Sequence, residues 1–423
     1  MQNEFKLEKE LGKGIFSNVF LATRIKDGSK FAIKRMYKCL INDKRYMKYI
    51  NNEIFILKQI NCQHVIKLYK IITDINFIYL AFEYCNGGDL NNCLKKYMEM
   101  NNNRAFPQKV VQHIMRQIIS GFIYLHSSDI IHRDIKLSNI LVQFPTEEDK
   151  KKLNMMKANF KIADFGFARY IKKNLGVSVV GTPENMEPHI LKKLDRINND
   201  NEDCFEYDQK ADIWSLGTIT YQLLIGCPVF QANSFEELQE KLEKGEYRIP
   251  HDVNLSKEAL YFLNCMLKYN PANRLDIISL SKQYFLTKDV SKFDNQLGKS
   301  IMFDINDERK NFEDFLKMYG VTDENINVKE TEDNKTHQEN KQGEHIEKEP
   351  EDYINEKGNG YYYNQDNNSS IQNIDKNTLK DLNELFDKIN ESSNYIEPLL
   401  VPTKPQHYLY SSSDPILNFM TAS

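Results

Sequence analysis

Two short stretches of this chain each place a carboxylate where a β-branched run gives way to polar residues. Residues Ile130–Asn139 read I-I-H-R-D-I-K-L-S-N, and residues Ile162–Gly166 read I-A-D-F-G. Both patterns predict a strand followed by a loop, with Asp134 and Asp164 in the loops. Two acids and the amide of Asn139, brought together, can hold Mg²⁺, because hard divalent cations prefer oxygen ligands. They can also orient a hydroxyl group, which suits phosphoryl transfer, since that reaction depends on positioning and charge neutralisation.

By these residues the chain resembles the eukaryotic protein kinases, whose catalytic loop reads H-R-D-x-K-x-x-N and whose metal loop reads D-F-G. The resemblance implies an α+β bilobal fold, with a small β-rich N-terminal lobe over residues 1–85 and a larger helical lobe over 86–286. It implies ATP and Mg²⁺ as cofactors and protein substrates as partners. Asp134 and Lys136 would then be catalytic, and Asn139 and Asp164 would hold the metal. A lysine at position 136 is typical of serine/threonine kinases.

The N-terminal stretch Leu11–Val19 reads L-G-K-G-I-F-S-N-V and predicts a strand, a glycine turn and a second strand. Gly12 and Gly14 let backbone amides approach phosphate oxygens without a Cβ in the way. Glycine pairs of this kind also occur in ordinary hairpin turns. In the kinase interpretation Ser17 replaces the third glycine of the family's phosphate-binding loop.

A lysine on a predicted strand and a glutamate on the next predicted helix form a candidate ion pair. Lys34 ends the run F-A-I-K, and Glu53 lies in the middle of an apolar helix face made by Ile50, Ile54 and Leu57. A carboxylate in an apolar stripe must be paired, because its desolvation is costly. The resemblance names Lys34 as the partner, with both residues catalytic through their grip on the α- and β-phosphates.

The run Ile78–Leu90 passes from a buried strand into a glycine-containing hinge, where kinases bind adenine and ribose. Together with the glycine loop and Lys34, the resemblance implies nucleotide contacts from Leu11, Gly12, Lys13, Gly14, Ile15, Phe16, Ser17, Asn18, Val19, Ala32, Phe82, Glu83, Cys85, Asp89 and Leu141. It also implies that His132 packs in a hydrophobic spine and that Asp212 bonds the backbone amides of the catalytic loop.

The chain departs from the family where A-P-E is replaced by Glu187-Pro188-His189. The family's glutamate pairs with an arginine that corresponds to Arg274. The resemblance therefore predicts that Arg274 loses a buried partner, and His189 can offer only a weaker hydrogen bond while neutral. This loss raises the alternative of a catalytically weak kinase-fold scaffold, in place of an active enzyme.

Three residues are candidates for regulation. Ser178 lies between the metal loop and Gly181, and Arg133 precedes the catalytic aspartate. A phosphate on Ser178 carries a charge of roughly −2 and would pair with Arg133, ordering the loop between them. Thr182, in G-T-P, would line the substrate-docking loop that the resemblance implies.

Within the kinases, the runs C-N-G-G-D-L and D-F-G-F-A-R-Y resemble the autophagy-initiating (Unc-51-like) kinases, with a signalling kinase unrelated to autophagy as the alternative.

The C-terminal third divides by composition into a partly helical extension (287–322), a disordered Asn/Glu-rich linker (323–377) and a tail (378–423). In the tail, Glu384–Ile389 carries an aromatic residue, two spacers and an aliphatic residue. Such a motif adds a strand to a ubiquitin-like autophagy adaptor, but the same residues also fit an amphipathic helix.

Composition excludes several functional classes. The net charge of −4 provides no strong field for nucleic acid or an anionic membrane. The seven cysteines contain no C-x-x-C pair, which argues against a zinc site and favours a reducing compartment. The N-terminus is charged where a signal peptide would be apolar, and no apolar run is long enough to span a bilayer. We expect a cytoplasmic protein without a transmembrane segment, reaching membranes only through partners.

The polar insert Phe144–Asn159 is expected to be an exposed loop.

Overall fold

The computed structural model describes residues 1–14, 17–38, 44–170, 182–194, 208–232, 234–289, 301–307 and 315. The N-terminal lobe is an antiparallel sheet of five strands in the order β1-β2-β3-β5-β4, with one helix. Its elements are β1 (Phe5–Lys13), β2 (Ser17–Arg24), β3 (Lys30–Tyr37), α1 (Lys44–Gln59), β4 (Leu68–Thr73) and β5 (Phe77–Glu83). The interior strand β5 is buried along most of its length, as expected for a strand with neighbours on both sides.

Among the described residues, the C-terminal lobe is mainly helical and also carries one three-stranded sheet and two strand pairs. Its elements up to the metal loop are β6 (Gly88–Asp89), α2 (Leu90–Met100), α3 (Gln108–Ser127), β7 (Ile130–Ile131), β8 (Ile140–Gln143), α4 (Glu147–Lys151) and β9 (Asn159–Ile162). Its later elements are β10 (Arg169–Tyr170), α5 (Pro188–Leu194), α6 (Gln209–Ile225), α7 (Phe235–Lys244), β11 (Glu246–Ile249), α8 (Lys257–Met266), α9 (Ile277–Ser281), α10 (Tyr284–Thr287) and β12 (Ile301–Asp304). This architecture confirms the predicted bilobal fold.

Helix α6 forms the centre of the helical lobe. It begins at the N-cap Asp208, whose side chain accepts from the amide of Lys210, and it ends at Gly226 in the left-handed region. Nearly all of its residues are buried, because it is apolar on every face. The indole of Trp214 stacks on Phe230, and the guanidinium of Arg274 lies 5.1 Å from the centroid of the Trp214 ring.

The insert between β8 and β9 is not the exposed loop that its polarity predicted. The side chains of Phe144, Met155 and Ala158 are buried. The Asp149 carboxylate organises the turn, since it accepts a hydrogen bond from the Thr146 hydroxyl at 2.7 Å and one from the Asn154 amide at 3.0 Å. In the sequence these three apolar residues stand among charged ones and are spaced too irregularly to show a helix or strand period. The sequence pattern therefore did not indicate that they are buried.

The extension that begins at residue 287 contributes a strand that the sequence did not predict. Strand β12 pairs antiparallel with β11, with Tyr247 opposite Phe303. Phe315, further along the chain, is buried and packs edge-on against Tyr261. The predicted linker and tail lie outside the described residues. No helix in the described part of the chain combines the length and apolarity that crossing a bilayer requires.

Candidate active site

The catalytic loop lies between β7 and β8, and a buried carboxylate holds its backbone in place. Asp212 is 1% exposed, and its two oxygens accept from the amides of His132 and Arg133, each at 3.0 Å. Burial raises the pKa of Asp212, but hydrogen bonding from His126 and the nearby His132 outweigh it and lower the pKa overall. Asp212 therefore stays ionised and fixes the loop, as predicted. Arg133 is held at φ +69°, a conformation that is strained for a residue with a Cβ.

Asp134 lies at the centre of a cluster of polar side chains. The ammonium of Lys136 is 3.2 Å from Asp134 Oδ2, and the Asn139 amide donates to the same oxygen at 3.0 Å. The other oxygen, Oδ1, accepts from the Thr182 hydroxyl at 2.7 Å, and that hydroxyl accepts in turn from Lys136 at 2.9 Å. Sequence reasoning placed Thr182 in a docking loop and missed its bond to Asp134, because the two are far apart in the chain. The cluster is a carboxylate that accepts a hydrogen bond from a hydroxyl group, with a cation beside it.

The predicted ion pair between Lys34 and Glu53 is present. Lys34 Nζ lies 2.9 Å and 3.1 Å from the two carboxylate oxygens of Glu53, a residue almost completely buried. Burial alone would lower the pKa of Lys34, but the carboxylates of Glu53 and Asp164 outweigh it and raise that pKa. Burial also raises the pKa of Glu53, against the opposing charge of Lys34. The strand lysine thus keeps its charge at neutral pH.

The metal loop is held by packing between its own Phe165 ring and the ring of His132. Phe165 is fully buried, with its ring centroid 5.0 Å from that of His132, and His132 Nε2 is 3.0 Å from the Ala163 carbonyl oxygen. His132 is therefore a packed core residue, as predicted. Asp164 is held at φ +64°, outside the usual range for a non-glycine residue.

Asp164 and Asn139 supply a carboxylate and an amide, which are oxygen donors of the kind that Mg²⁺ accepts. Among the described residues no group of three or more His, Cys, Asp or Glu side chains is arranged to hold a metal. The donor set still fits Mg²⁺, since this ion is commonly bound by one or two carboxylates together with phosphates and water.

The hinge between the lobes is hydrogen-bonded to residues of both lobes. The Glu83 carboxylate accepts from the Lys67 amide at 2.8 Å and pairs with Lys161 Nζ at 2.8 Å. Burial raises the pKa of the Cys85 thiol to about 12, so this cysteine remains protonated. Gly87 donates to the Val142 carbonyl at 2.8 Å, and a Cβ there would lie 2.7 Å from the same oxygen. The sequence signalled the hinge through its glycines but not the bond to Lys161.

The remaining predicted nucleotide contacts are divided between the N-terminal sheet and the first elements of the helical lobe. The Gly14 amide donates to the Ser17 carbonyl at 2.7 Å and closes the glycine turn, while Ile15 and Phe16 lie outside the described residues. Ala32 pairs with Phe82 across β3 and β5. The Asp89 carboxylate caps α2 by accepting from the Asn92 backbone amide at 2.8 Å. A contact with ribose would have to use the remaining lone pairs of that carboxylate.

The model of the protein kinase domain family matches residues 5–286 of this chain. The chain belongs to the protein kinase domain family. Relatives include serine/threonine-protein kinase PLK4 of Xenopus tropicalis, 31% identical over 68% of this chain and 27% of that protein. Serine/threonine-protein kinase 33 of Mus musculus is 34% identical, over 66% of this chain and 53% of the relative. Calcium-dependent protein kinase 5 of Plasmodium falciparum is 34% identical, over 66% and 44%. The kinase thus aligns with only about a quarter to a half of the length of these relatives.

The prediction that Arg274 of this kinase lacks a buried partner is wrong. Arg274 Nη2 donates to Glu187 Oε1 at 2.9 Å, and the two residues are 2% and 4% exposed. Glu187 comes directly before α5, and its other oxygen accepts from the Ile190 amide at 3.2 Å. His189 Nδ1 lies 2.9 Å from Glu187 Oε1. The carboxylate therefore reaches the arginine from a position two residues earlier than in the A-P-E pattern.

Two predicted features of this kinase cannot be placed. Ser178 and the tail motif Glu384–Ile389 both lie outside the described residues. Arg133, the predicted partner of a phosphate on Ser178, donates from Nε to the Phe167 carbonyl oxygen at 2.6 Å.

Glu187→Gln should destabilise the kinase by about 3 kcal/mol near pH 7, because it leaves the Arg274 charge buried without a counter-ion. Burial raises the pKa of Glu187, but His189 and Arg274 outweigh it and lower the pKa below its ordinary value of 4.5. The contribution of the pair is therefore complete above pH 4.5 and is lost as the pH falls through the folded-state pKa. Denaturant unfolding of both proteins across this pH range measures the difference.

The matched control is Glu148→Gln, which removes an exposed ion pair with Lys152 and should cost less than about 1 kcal/mol. A Glu187→Gln penalty that stays constant down to pH 3 would contradict the assignment of the pair.

Proposed function

We propose that this chain is an active serine/threonine protein kinase, which transfers the γ-phosphoryl group of ATP to serine or threonine hydroxyls of proteins. The observation that carries the proposal is the cluster around Asp134, in which a carboxylate accepts from a hydroxyl at 2.7 Å with the Lys136 ammonium beside it. The relatives named above support it, since two of them are named serine/threonine-protein kinases.

In the proposed reaction the substrate oxygen attacks the γ-phosphorus and the bond to the β-bridging oxygen breaks, which releases ADP. Asp134 accepts the hydroxyl proton, and Lys136 neutralises charge on the transferred group. Lys34, held by Glu53, grips the α- and β-phosphates. Mg²⁺, held by Asn139 and Asp164, would neutralise phosphate charge when bound.

The alternative of a catalytically weak scaffold was motivated by a missing partner for Arg274. Glu187 supplies that partner at 2.9 Å, so the observation that suggested a scaffold no longer applies. The side chains that the chemistry requires are also in place: the ion pair of Lys34 and Glu53, the Asp134 cluster and the packed metal loop. These features favour an active enzyme over a scaffold.

Asp134→Asn and Lys34→Met should each lower phosphoryl transfer by at least about a hundredfold, because proton acceptance and phosphate positioning are lost. Asp134→Asn nearly preserves side-chain volume, so its melting temperature should stay close to that of the wild type. Lys34→Met should still fold but should melt at a lower temperature, because it leaves Glu53 buried without a counter-ion. A radiolabelled-ATP assay with a generic protein substrate measures the loss.

The matched control for that experiment is Asp129→Asn, the same chemical change just before β7, which should retain wild-type turnover. Asp164→Asn should instead raise the Mg²⁺ concentration needed for half-maximal activity. Wild-type turnover in Asp134→Asn would refute the mechanism.

Within the kinases, we propose a cytoplasmic role in autophagy initiation. This finer assignment is supported by the motifs C-N-G-G-D-L and D-F-G-F-A-R-Y, and a signalling role unrelated to autophagy is its alternative. The relatives named above carry other names, so the motifs alone carry the subfamily proposal.

Phosphorylation of Ser178 should activate the kinase, because a phosphate there would pair with Arg133 and order the loop that ends at Thr182. After phosphatase treatment and reincubation with ATP, Ser178→Ala should recover less activity than the wild type. Ser281→Ala, which changes a partly exposed serine on α9, is the control. Equal recovery in Ser178→Ala and wild type would exclude the switch.

The tail motif Glu384–Ile389 should bind a ubiquitin-like adaptor by strand addition, in which main-chain bonds provide affinity and two pockets take Phe386 and Ile389. Phe386→Ala with Ile389→Ala should abolish pull-down of the adaptor by the full chain. Leu382→Asp, which disrupts the amphipathic helix face but not the motif, should retain it. Loss of binding in Leu382→Asp would favour the helix interpretation instead.

A further inference from the structure

The segment that follows the family match is built into the helical lobe. The match ends at residue 286, and strand β12 begins at Ile301. The ring of Phe303 is buried and stacks on Tyr247, with a centroid distance of 4.9 Å and an angle of 12° between the rings. Tyr247 packs edge-on against Tyr221 of α6. Strand β12 thus covers what would otherwise be an open edge of β11 with an apolar contact beneath it.

Beyond β12, the chain is bonded to Gly245 at the end of α7 and to the turn that follows α8. The Ile305 amide donates to the Gly245 carbonyl at 2.6 Å, and the Ile305 carbonyl accepts from the Tyr269 amide at 2.7 Å. Lys268 is 1% exposed, and its ammonium donates to the Asp307 carbonyl oxygen. A buried lysine must have such acceptors, so the extension completes the environment of Lys268.

The same turn holds Arg274 from its other side. Arg274 Nε donates to the Lys268 carbonyl at 2.7 Å, and Nη2 donates to the Tyr269 carbonyl at 2.8 Å. The Tyr269 ring also lies against the His189 ring, with centroids 4.8 Å apart. Because Arg274 Nη2 also pairs with Glu187, the turn is bonded to the extension on one side and to the start of α5 on the other.

We propose that residues 301–307 position the segment Thr182–His189 for protein substrates, acting through the turn Lys268–Tyr269 and Arg274. Phe303 and Tyr269 are positioning residues in this arrangement, since neither contacts the Asp134 cluster directly. The proposal rests on the proposed function, phosphorylation of proteins, and on the substrate-docking role that the kinase resemblance implies for the loop at Thr182. ATP binding should be insensitive to the extension, because the contacts given above for residues 301–307 go to residues 245–249 and to Lys268–Tyr269, and these are not among the predicted nucleotide or metal residues.

Phe303→Leu, which removes the ring stack but keeps an apolar side chain, should raise KM for a protein substrate about threefold or more. The kcat at saturating substrate and KM for ATP should change by less than about twofold. Phe303→Tyr, which retains the ring stack, should have the wild-type KM for the protein substrate. The matched control is Met302→Ala, on the same strand but 50% exposed, and it should change none of these values.

A second readout does not depend on activity. The Ile190 and Leu191 amides donate to the Glu187 carbonyl, each at 3.0 Å, so their hydrogen exchange reports the order of this segment. Exchange there should be faster in Phe303→Leu than in Met302→Ala. Unchanged exchange, or an equal rise in KM for ATP and for protein, would overturn the positioning role. A wild-type chain that transfers no phosphate to any protein would refute the proposed function instead, and the exchange comparison would still test the proposal.

Discussion

One buried carboxylate, Asp212, is the constraint on which the catalytic geometry depends. It extends from α6, a largely buried helix, and accepts from the amides of His132 and Arg133. An ionised group at this depth is tolerated only when it is fully hydrogen-bonded. The loop amides are therefore obligatory partners, and the rigid helix fixes their position. This attachment holds Arg133 at φ +69° and leaves the next residue, Asp134, facing Lys136, Asn139 and Thr182.

The N-terminal lobe also depends on a buried carboxylate that must be satisfied. In the N-terminal lobe Glu53 must be satisfied on an apolar helix face, and Lys34 satisfies it. Helix α1 is thereby tied to β3, and its C-terminal half also reaches the strand after the metal loop, where Gln59 Oε1 accepts from the Tyr170 hydroxyl at 3.1 Å. At the hinge, Glu83 pairs with Lys161 on β9. Each pair joins elements that are distant in the chain, so burying charge serves to fix positions here more than to add stability.

The sequence predicted what is encoded locally. The strand-to-loop motifs, the lysine on β3 and the apolar face around Glu53 each lie within a short window, and each was placed correctly. Three features were missed for one shared reason, that a partner's identity depends on distant geometry. The anchors of the insert are apolar residues without a period. Strand β12 is held by its pairing with β11 and by the stack of Phe303 on Tyr247, which its own four residues do not reveal. The hydrogen bond from Thr182 to Asp134 joins residues on either side of the metal loop.

The error at Glu187 shows the limit of reading a motif by position. The family pattern places a glutamate at the site of His189, and matching letter by letter leaves Arg274 without a counter-ion. The physical requirement is different, because a buried guanidinium needs a carboxylate within reach and not one at a fixed position in the sequence. Helix α5 begins just after Glu187, so its carboxylate lies at the helix start and can accept from both Arg274 and the Ile190 amide. His189 then lies between that carboxylate and the Tyr269 ring. The two departures from A-P-E therefore act as one compensated change, in which the charge moves along the chain and the buried pair survives.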